Sequence, residues 1–405
     1  MTVPGGFRAR PMSGFGLVEI MVAVVIGMLG IIVMMQVFAL FEGQKRTTTG
    51  GDDAISGGAI ALNGLQRTIQ QSGWGITDYR LIGCPVSGLS ATGGMNIPLV
   101  PVTINHPAIT GHDANTDTLL IVSGNASDAV GGEALRDSVA FSQTSYVVWA
   151  PTAFAQNDRV VAAPATRQNP CAPSASALTL TAVANAPTVG GALQVGAASH
   201  TVSIGDWLFN LGPQPSVIAY AIRGGNLTRC DYRQSNCGAV ANNGDPAVWV
   251  PVANNMVSLR AQYGRDTTDA AVALQDARMD GVVDVWDQQS LWRQATWTAG
   301  SVSSMTEKDT PACAVVRVAA VRVALLARNA QPERADGGVH VTTAVPVWMG
   351  SDAVAHGIDD TVADAAAFNL GSGTTWPTWQ DYRYKVFQTV VPLRNITIKG
   401  AYPEC

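Results

Sequence analysis

The chain has 405 residues, a formal charge of −5, 47% hydrophobic residues and only 14% charged ones. That acidic balance argues against direct nucleic-acid binding, which shows as a basic stripe. Sparse charge with abundant glycine (41 residues) fits an exported, β-rich protein.

Residues 1–14 form a short leader whose only charges are Arg8 and Arg10. An apolar run spans residues 15–41, broken only by Glu19 and Gln36 among strongly polar residues. As a helix at about 1.5 Å per residue it reaches roughly 40 Å, enough to cross a hydrocarbon core of about 30 Å. Its sixteen Phe, Leu, Ile and Val residues favour insertion by about 5–10 kcal/mol, against about 2.5–3.5 kcal/mol for one central carboxylate. Insertion wins, and Glu19 is left as a charge that needs a partner. The two leader arginines place the N-terminus in the cytoplasm and everything after residue 41 across the membrane. A secretory signal would have a shorter apolar core with its small-residue junction on the far side; here the Ser13-Gly14/Phe15 junction precedes the run.

Gly14-Phe15-Gly16-Leu17-Val18-Glu19 resembles the class III signal of type IV pilins and pseudopilins. The resemblance implies cleavage after Gly14 by a prepilin peptidase, N-methylation of Phe15, and Glu19 as the fifth mature residue. It further implies that Glu19 pairs with the terminal amine of a neighbouring subunit and sets the axial register of assembly. Two departures stand out: Gly16 occupies the second mature position, and no proline interrupts the helix. Gly27 and Gly30 are the residues available for local flexibility or close helix contact. A plain signal anchor is the competing reading.

Residues 47–53, Thr-Thr-Thr-Gly-Gly-Asp-Asp, are poor helix formers and predict a break, with Asp52 or Asp53 capping a second helical segment. Beyond it, Ile55, Ala59, Leu62, Leu65 and Ile69 recur at helical spacing, and Gly73-Trp74-Gly75 ends the helix. Residues 42–72 thus read as an amphipathic continuation of the spanning helix. The remaining residues, 73–405, read as a β-rich head, long enough for two cores or one sheet system with large insertions. All six cysteines, Cys84, Cys171, Cys230, Cys237, Cys313 and Cys405, lie in the exported part, where an even number predicts disulfides. Cys230 and Cys237, separated by a short turn-rich stretch, are the expected pair.

Strand candidates are residues 118–123, 145–149, 219–223, 257–263, 315–326 and 382–391. Residues 171–200 read as a weak hairpin insertion or an exposed loop, and residues 350–376 as irregular. Four head segments sharpen the family. Residues 219–229 (AYAIRGGNLTR) and 257–264 (VSLRAQYG) resemble PilW-type minor pilins and J-type pseudopilins. Residues 318–328, ending in Leu-Leu-Ala-Arg, are a third match. Residues 382–395 (YRYKVFQTVVPLRN) resemble the closing signature of PilW. The resemblance leaves residues 84–205 without an assignment.

Catalytic patterns are lacking. His106, His112, His200, His340 and His356 are scattered, without a zinc-protease helix, nucleophile elbow or phosphate loop. Asp113 and Asp117 beside His112 read as a solvated loop, as do Asp359, Asp360 and Asp364. Asp276, Asp280, Asp284 and Asp287, with Gly281 at position six, echo a calcium loop. Arg278 at position three opposes that use, and an acidic turn is the plainer reading; no metal or other cofactor is expected. Trp286, Trp292, Trp297, Trp376 and Trp379 suit core or interface packing better than a sugar platform.

The resemblance therefore implies an α+β fold, a long N-terminal helix on a mainly antiparallel β-sheet head. It implies a non-enzymatic minor pilin that joins a tip or priming complex with other minor pilins, the major pilin, the inner-membrane assembly platform and a tip adhesin. Such a protein sits in the inner membrane, head in the periplasm, before entering the pilus that serves adhesion or twitching motility. The nearest alternative is a J-type pseudopilin of type II secretion. A membrane-tethered enzyme or ligand-binding module is the alternative of another class.

Overall fold

The computed structural model describes residues 16–90, 95–138, 144–167, 177–196, 201–266, 279, 281–283, 285–288, 311–333, 340–351, 368–373 and 377–397. The chain divides into two compact units, Met1–Asp52 and Asp53–Cys405. Helix α1 runs unbroken over Leu17–Gln71, so the break expected at residues 47–53 does not form. A glycine costs about 1 kcal/mol in a helix, too little to stop propagation from strong helix on either side. The helix ends where expected, with Gly73 and Gly75 both at positive φ (82° and 75°).

Within the second unit, α1 buries Gly58, Ala61, Leu65 and Ile69, with Leu62 partly covered. Ile55 and Ala59, expected on the inner face, are exposed. The stripe is rotated because Gly58 is the point of closest approach. A Cβ there would collide with the Phe387 ring, so the smallest residue, and no larger apolar one, takes that place.

The described strands form sheets of six, five and four strands and one two-stranded pair. The six-stranded sheet holds β1 (Pro85–Ser87), β2 (Ile97–Pro98), β5 (Glu133–Ala134), β7 (Arg159–Ala163), β8 (Leu178–Ala182) and β10 (Trp207–Gly212), ordered β2-β1-β8-β7-β10-β5. The five-stranded sheet holds β3 (Val102–Ile104), β4 (Leu119–Ser123), β11 (Ser216–Arg223), β12 (Asn226–Asp231) and β13 (Val250–Ala253), ordered β13-β12-β11-β4-β3. The four-stranded sheet holds β14 (Met256–Arg265), β15 (Val285–Asp287), β16 (Val318–Arg328) and β17 (Tyr384–Pro392), ordered β15-β14-β16-β17. β6 (Ser145–Tyr146) pairs with β9 (Leu193–Gln194). The fold is α+β, as expected, and every pairing but one (β1 with β8, parallel) is antiparallel among the described strands.

Strands β3, β4 and β11 of the five-stranded sheet are buried on both faces, because successive side chains of a strand point to opposite sides. Leu119 and Ile121 of β4 enter one core with Leu65 and Ile69 of α1 and Val323 and Leu325 of β16. Leu120 and Val122 enter a second core with Phe209 and Leu211 of β10 and Leu178 of β8. β16 is likewise two-sided, sending Ala324 and Leu326 against Trp348 and Phe368.

Three expectations change. Residues 315 and 316 belong to a short helix α2 (Pro311–Val316), and the strand begins only at Val318; proline at the first helical position sets that start. The described part of residues 171–200 is neither a loop nor an isolated hairpin, since β8 joins the six-stranded sheet beside β1 and β7. Asp117 is no solvated loop residue: it is 2% exposed.

Candidate assembly site

The first unit presents a single feature, the stretch Leu17–Phe38, which has a mean hydropathy of 2.8 and no buried residue in its most apolar window. Leu17 is 76% exposed and Ile26 64%. Such a surface has to be covered by lipid or by other helices. Gly16 lies outside the helix and its carbonyl accepts the Glu19 and Ile20 N–H groups at 3.0 and 3.2 Å. That geometry puts the Glu19 carboxylate in the first turn, beside the unsatisfied N–H groups and positive end of the helix dipole. Among the described residues, Gly27 and Gly30 have no atom within 4 Å of where a Cβ would sit, so none of these residues requires their smallness. Gly14 and Phe15 lie outside the described residues.

In the second unit, the segments singled out from the sequence prove to be neighbours. Residues 219–229 are the β11–β12 hairpin, closed by Gly224 and Gly225, both at positive φ (55° and 71°). That is the type I′ geometry for which glycine is suited. The Asp113 carboxylate accepts both turn N–H groups, at 2.8 Å from Gly224 and 2.7 Å from Gly225. Arg223 clamps the same corner, its guanidinium 3.8 Å above the Trp249 ring while donating to the Gly111 carbonyl. The other three segments lie in β14, β16 and β17, which pair side by side.

Asp117 ties this sheet to the rest of the unit. Its carboxylate accepts N–H bonds from Asn105 (3.0 Å), backbone Ala261 (3.0 Å) and Gln288 (2.7 Å), with Arg260 at 3.4 Å. Burial pushes its pKa up, against the pull of Arg260 and of these hydrogen bonds. The sequence hides this role, since a Gly/Asn-rich approach to a strand reads as exposed.

Cys230 and Cys237 form a disulfide, as expected, with Cα atoms 5.9 Å apart. Cys84 and Cys313 are disulfide-bonded and buried; Cys171 and Cys405 lie outside the described residues. Of the calcium-loop candidates, Asp276, Asp280 and Asp284 lie outside as well. Asp287 stands in strand β15, both its oxygens 2.9 Å from Arg265 Nε, so the twelfth position of the supposed loop is an ion pair in a sheet. His106 is buried and accepts the Ala108 N–H through Nδ1, while His112 is exposed. His200, His356, Asp359, Asp360 and Asp364 are outside the described residues, as are Trp292, Trp297 and Trp376. Trp286 stacks on Gly264 and under Arg322, a packing role.

Residues 225–395 match the family model described as Type IV Pilus-assembly protein W, PilW. The match covers 171 of the 405 residues and supports a PilW-family pilus protein. The matched segment begins within the β11–β12 turn, takes in the whole four-stranded sheet and ends at Asn395, so the family's shared part is the β12–β17 portion of the head. The match points to a role in type IV pilus assembly. No curated protein and no solved structure matches the chain.

Proposed function

We propose that this chain is a minor pilin that helps prime type IV pilus assembly, and that it acts without catalysis. The observation that carries the reading is the uncovered helix Leu17–Phe38 with Glu19 in its first turn, in a chain whose head matches the PilW family model. Cleavage after Gly14 frees an amine at Phe15. The Glu19 carboxylate of one subunit then meets the amine of another in a low-dielectric setting, where an unpaired charge is costly and a paired one fixes register. The apolar helix surface packs against neighbouring pilin helices, and the β head faces the periplasm and then the pilus tip.

Mass spectrometry of the N-terminus, in cells with and without the prepilin peptidase, tests this reading. A chain starting at methylated Phe15 only when the peptidase is present supports it. An intact leader in both strains overturns it.

A further inference from the structure

Where the five-stranded sheet extends past α1, it leaves a cleft of about 800 Å³, within the range of small-molecule sites, about 300–1,000 Å³. Its floor is the sheet face carrying Ile218, Tyr220, Arg229 and Val252, and one wall is the last turns of α1 with Gln70, Gln71 and Trp74. Arg229 alone among the lining residues is charged. It is exposed, and its side chain makes no hydrogen bond or ion pair among the described residues. A positive group without a partner therefore stands in the cleft of an acidic protein.

The other lining groups are neutral, and several are held in place. The Trp74 indole is 41% exposed and its N–H donates to the Ala126 carbonyl at 2.8 Å, which fixes the ring. Asn125 Oδ1 accepts the Gln214 backbone N–H at 3.0 Å, and Asn395 Nδ2 donates to the Ser72 carbonyl at 2.8 Å. Tyr220 and Thr68 share a hydroxyl–hydroxyl bond at 3.1 Å. A second cavity of about 220 Å³ shares Arg229 and Val252 and continues toward Gln234 and Ser235 inside the disulfide loop. It includes Asp231, whose oxygens are taken by the Arg233 backbone N–H and the Gln234 amide.

We infer that this cleft binds an acidic saccharide. A fixed indole face packs the C–H face of a sugar ring, several carboxamides and hydroxyls match sugar hydroxyls, and one free guanidinium takes a carboxylate in bidentate fashion. The continuation past Arg229 gives room for more than one ring. This inference stands apart from the assembly role and does not depend on it.

The test is a titration of the full chain in detergent micelles, read by tryptophan fluorescence and calorimetry. The probes are sialyllactose, trigalacturonate, uncharged lactose and a hexaglutamate peptide. We expect saturable binding of at least one acidic saccharide. Arg229→Gln, at an exposed residue without partners, should weaken it about tenfold or more while leaving the fold intact. Trp74→Phe should retain binding and Trp74→Ala should lose it. Three outcomes overturn the inference: no saturable saccharide binding, binding indifferent to Arg229→Gln, or hexaglutamate binding as tightly as the saccharides.

Discussion

Two apolar runs in this chain meet opposite fates. Residues 17–38 of α1 and residues 318–328 of β16 are similarly rich in Val, Leu, Ile, Ala, Met and Phe taken together. β16 is covered on every side: β14 and β17 take its backbone edges, and the core residues named above take both its faces. The helix satisfies its own backbone and leaves its side chains bare. Apolar sequence thus does not by itself say what covers it. Strand periodicity demands cover from within the molecule, whereas a self-bonded helix is free to take cover from lipid or from other subunits.

Placing charges in each run should separate the two kinds of cover. The largest effect is expected from Val25→Arg combined with Ile32→Arg, which costs about 5–7 kcal/mol of insertion energy, comparable to the whole driving force. Membrane fractionation should show the chain leaving the bilayer, while the melting of the head is unchanged. Leu325→Ala should do the reverse. Removing this fully buried side chain should destabilise the head by about 2–5 kcal/mol, read by denaturant titration, with membrane retention unaffected. If Leu325→Ala releases the protein from the membrane, the two regions are not independent and the comparison fails.

Smaller effects sharpen the picture. Gly58→Val drives a side chain into Phe387 and should cost the head about 1–3 kcal/mol, whereas Gly27→Val, with open space around it, should leave the head's melting unchanged. The pH dependence of the head's stability gives the smallest test. The Thr378 backbone N–H, then the side chains of His340 and Thr378, hold the Asp381 carboxyl below its ordinary pKa. A depressed folded pKa gives stability that is present above about pH 3.9, the unfolded value, and lost as pH falls through the lower folded one. Asp381→Asn should therefore flatten the acid limb of the melting curve and leave the neutral limb's slope unchanged.

Much of this fold is legible in the sequence. The long apolar helix, the stop at Gly73, β4, β11, β14 and β17, and the Cys230–Cys237 bridge all arise from local pattern. What escapes is non-local. Val86 pairs with Leu178 across 92 positions, and no window of sequence contains both. The Ala/Thr/Ser-rich stretch around β8 looks like a loop until its neighbours supply burial. Asp117 reads as solvated because its four partners come from elsewhere in the chain. The continuous α1 shows the same lesson in reverse: a run of poor helix formers is outweighed by the strong helix on both sides. The cleft residues Trp74 and Arg229 carry no motif, and only the sheet that aligns them makes them neighbours.

The stitching of Asn395 to Ser72, 323 positions apart, bears on how the protein is made. Leu65 and Ile69 share one core with Val391, Leu393 and Ile396. In chain order, Leu65 and Ile69 precede these partners by more than 300 positions. Until residues 384–396 are in place, the buried stripe of α1 lacks part of its cover and β16 has an open edge. A chain cut short before these residues therefore keeps apolar surface and a strand edge exposed. Closure of the head waits on its last strand, which makes completion of the chain a condition of its stability.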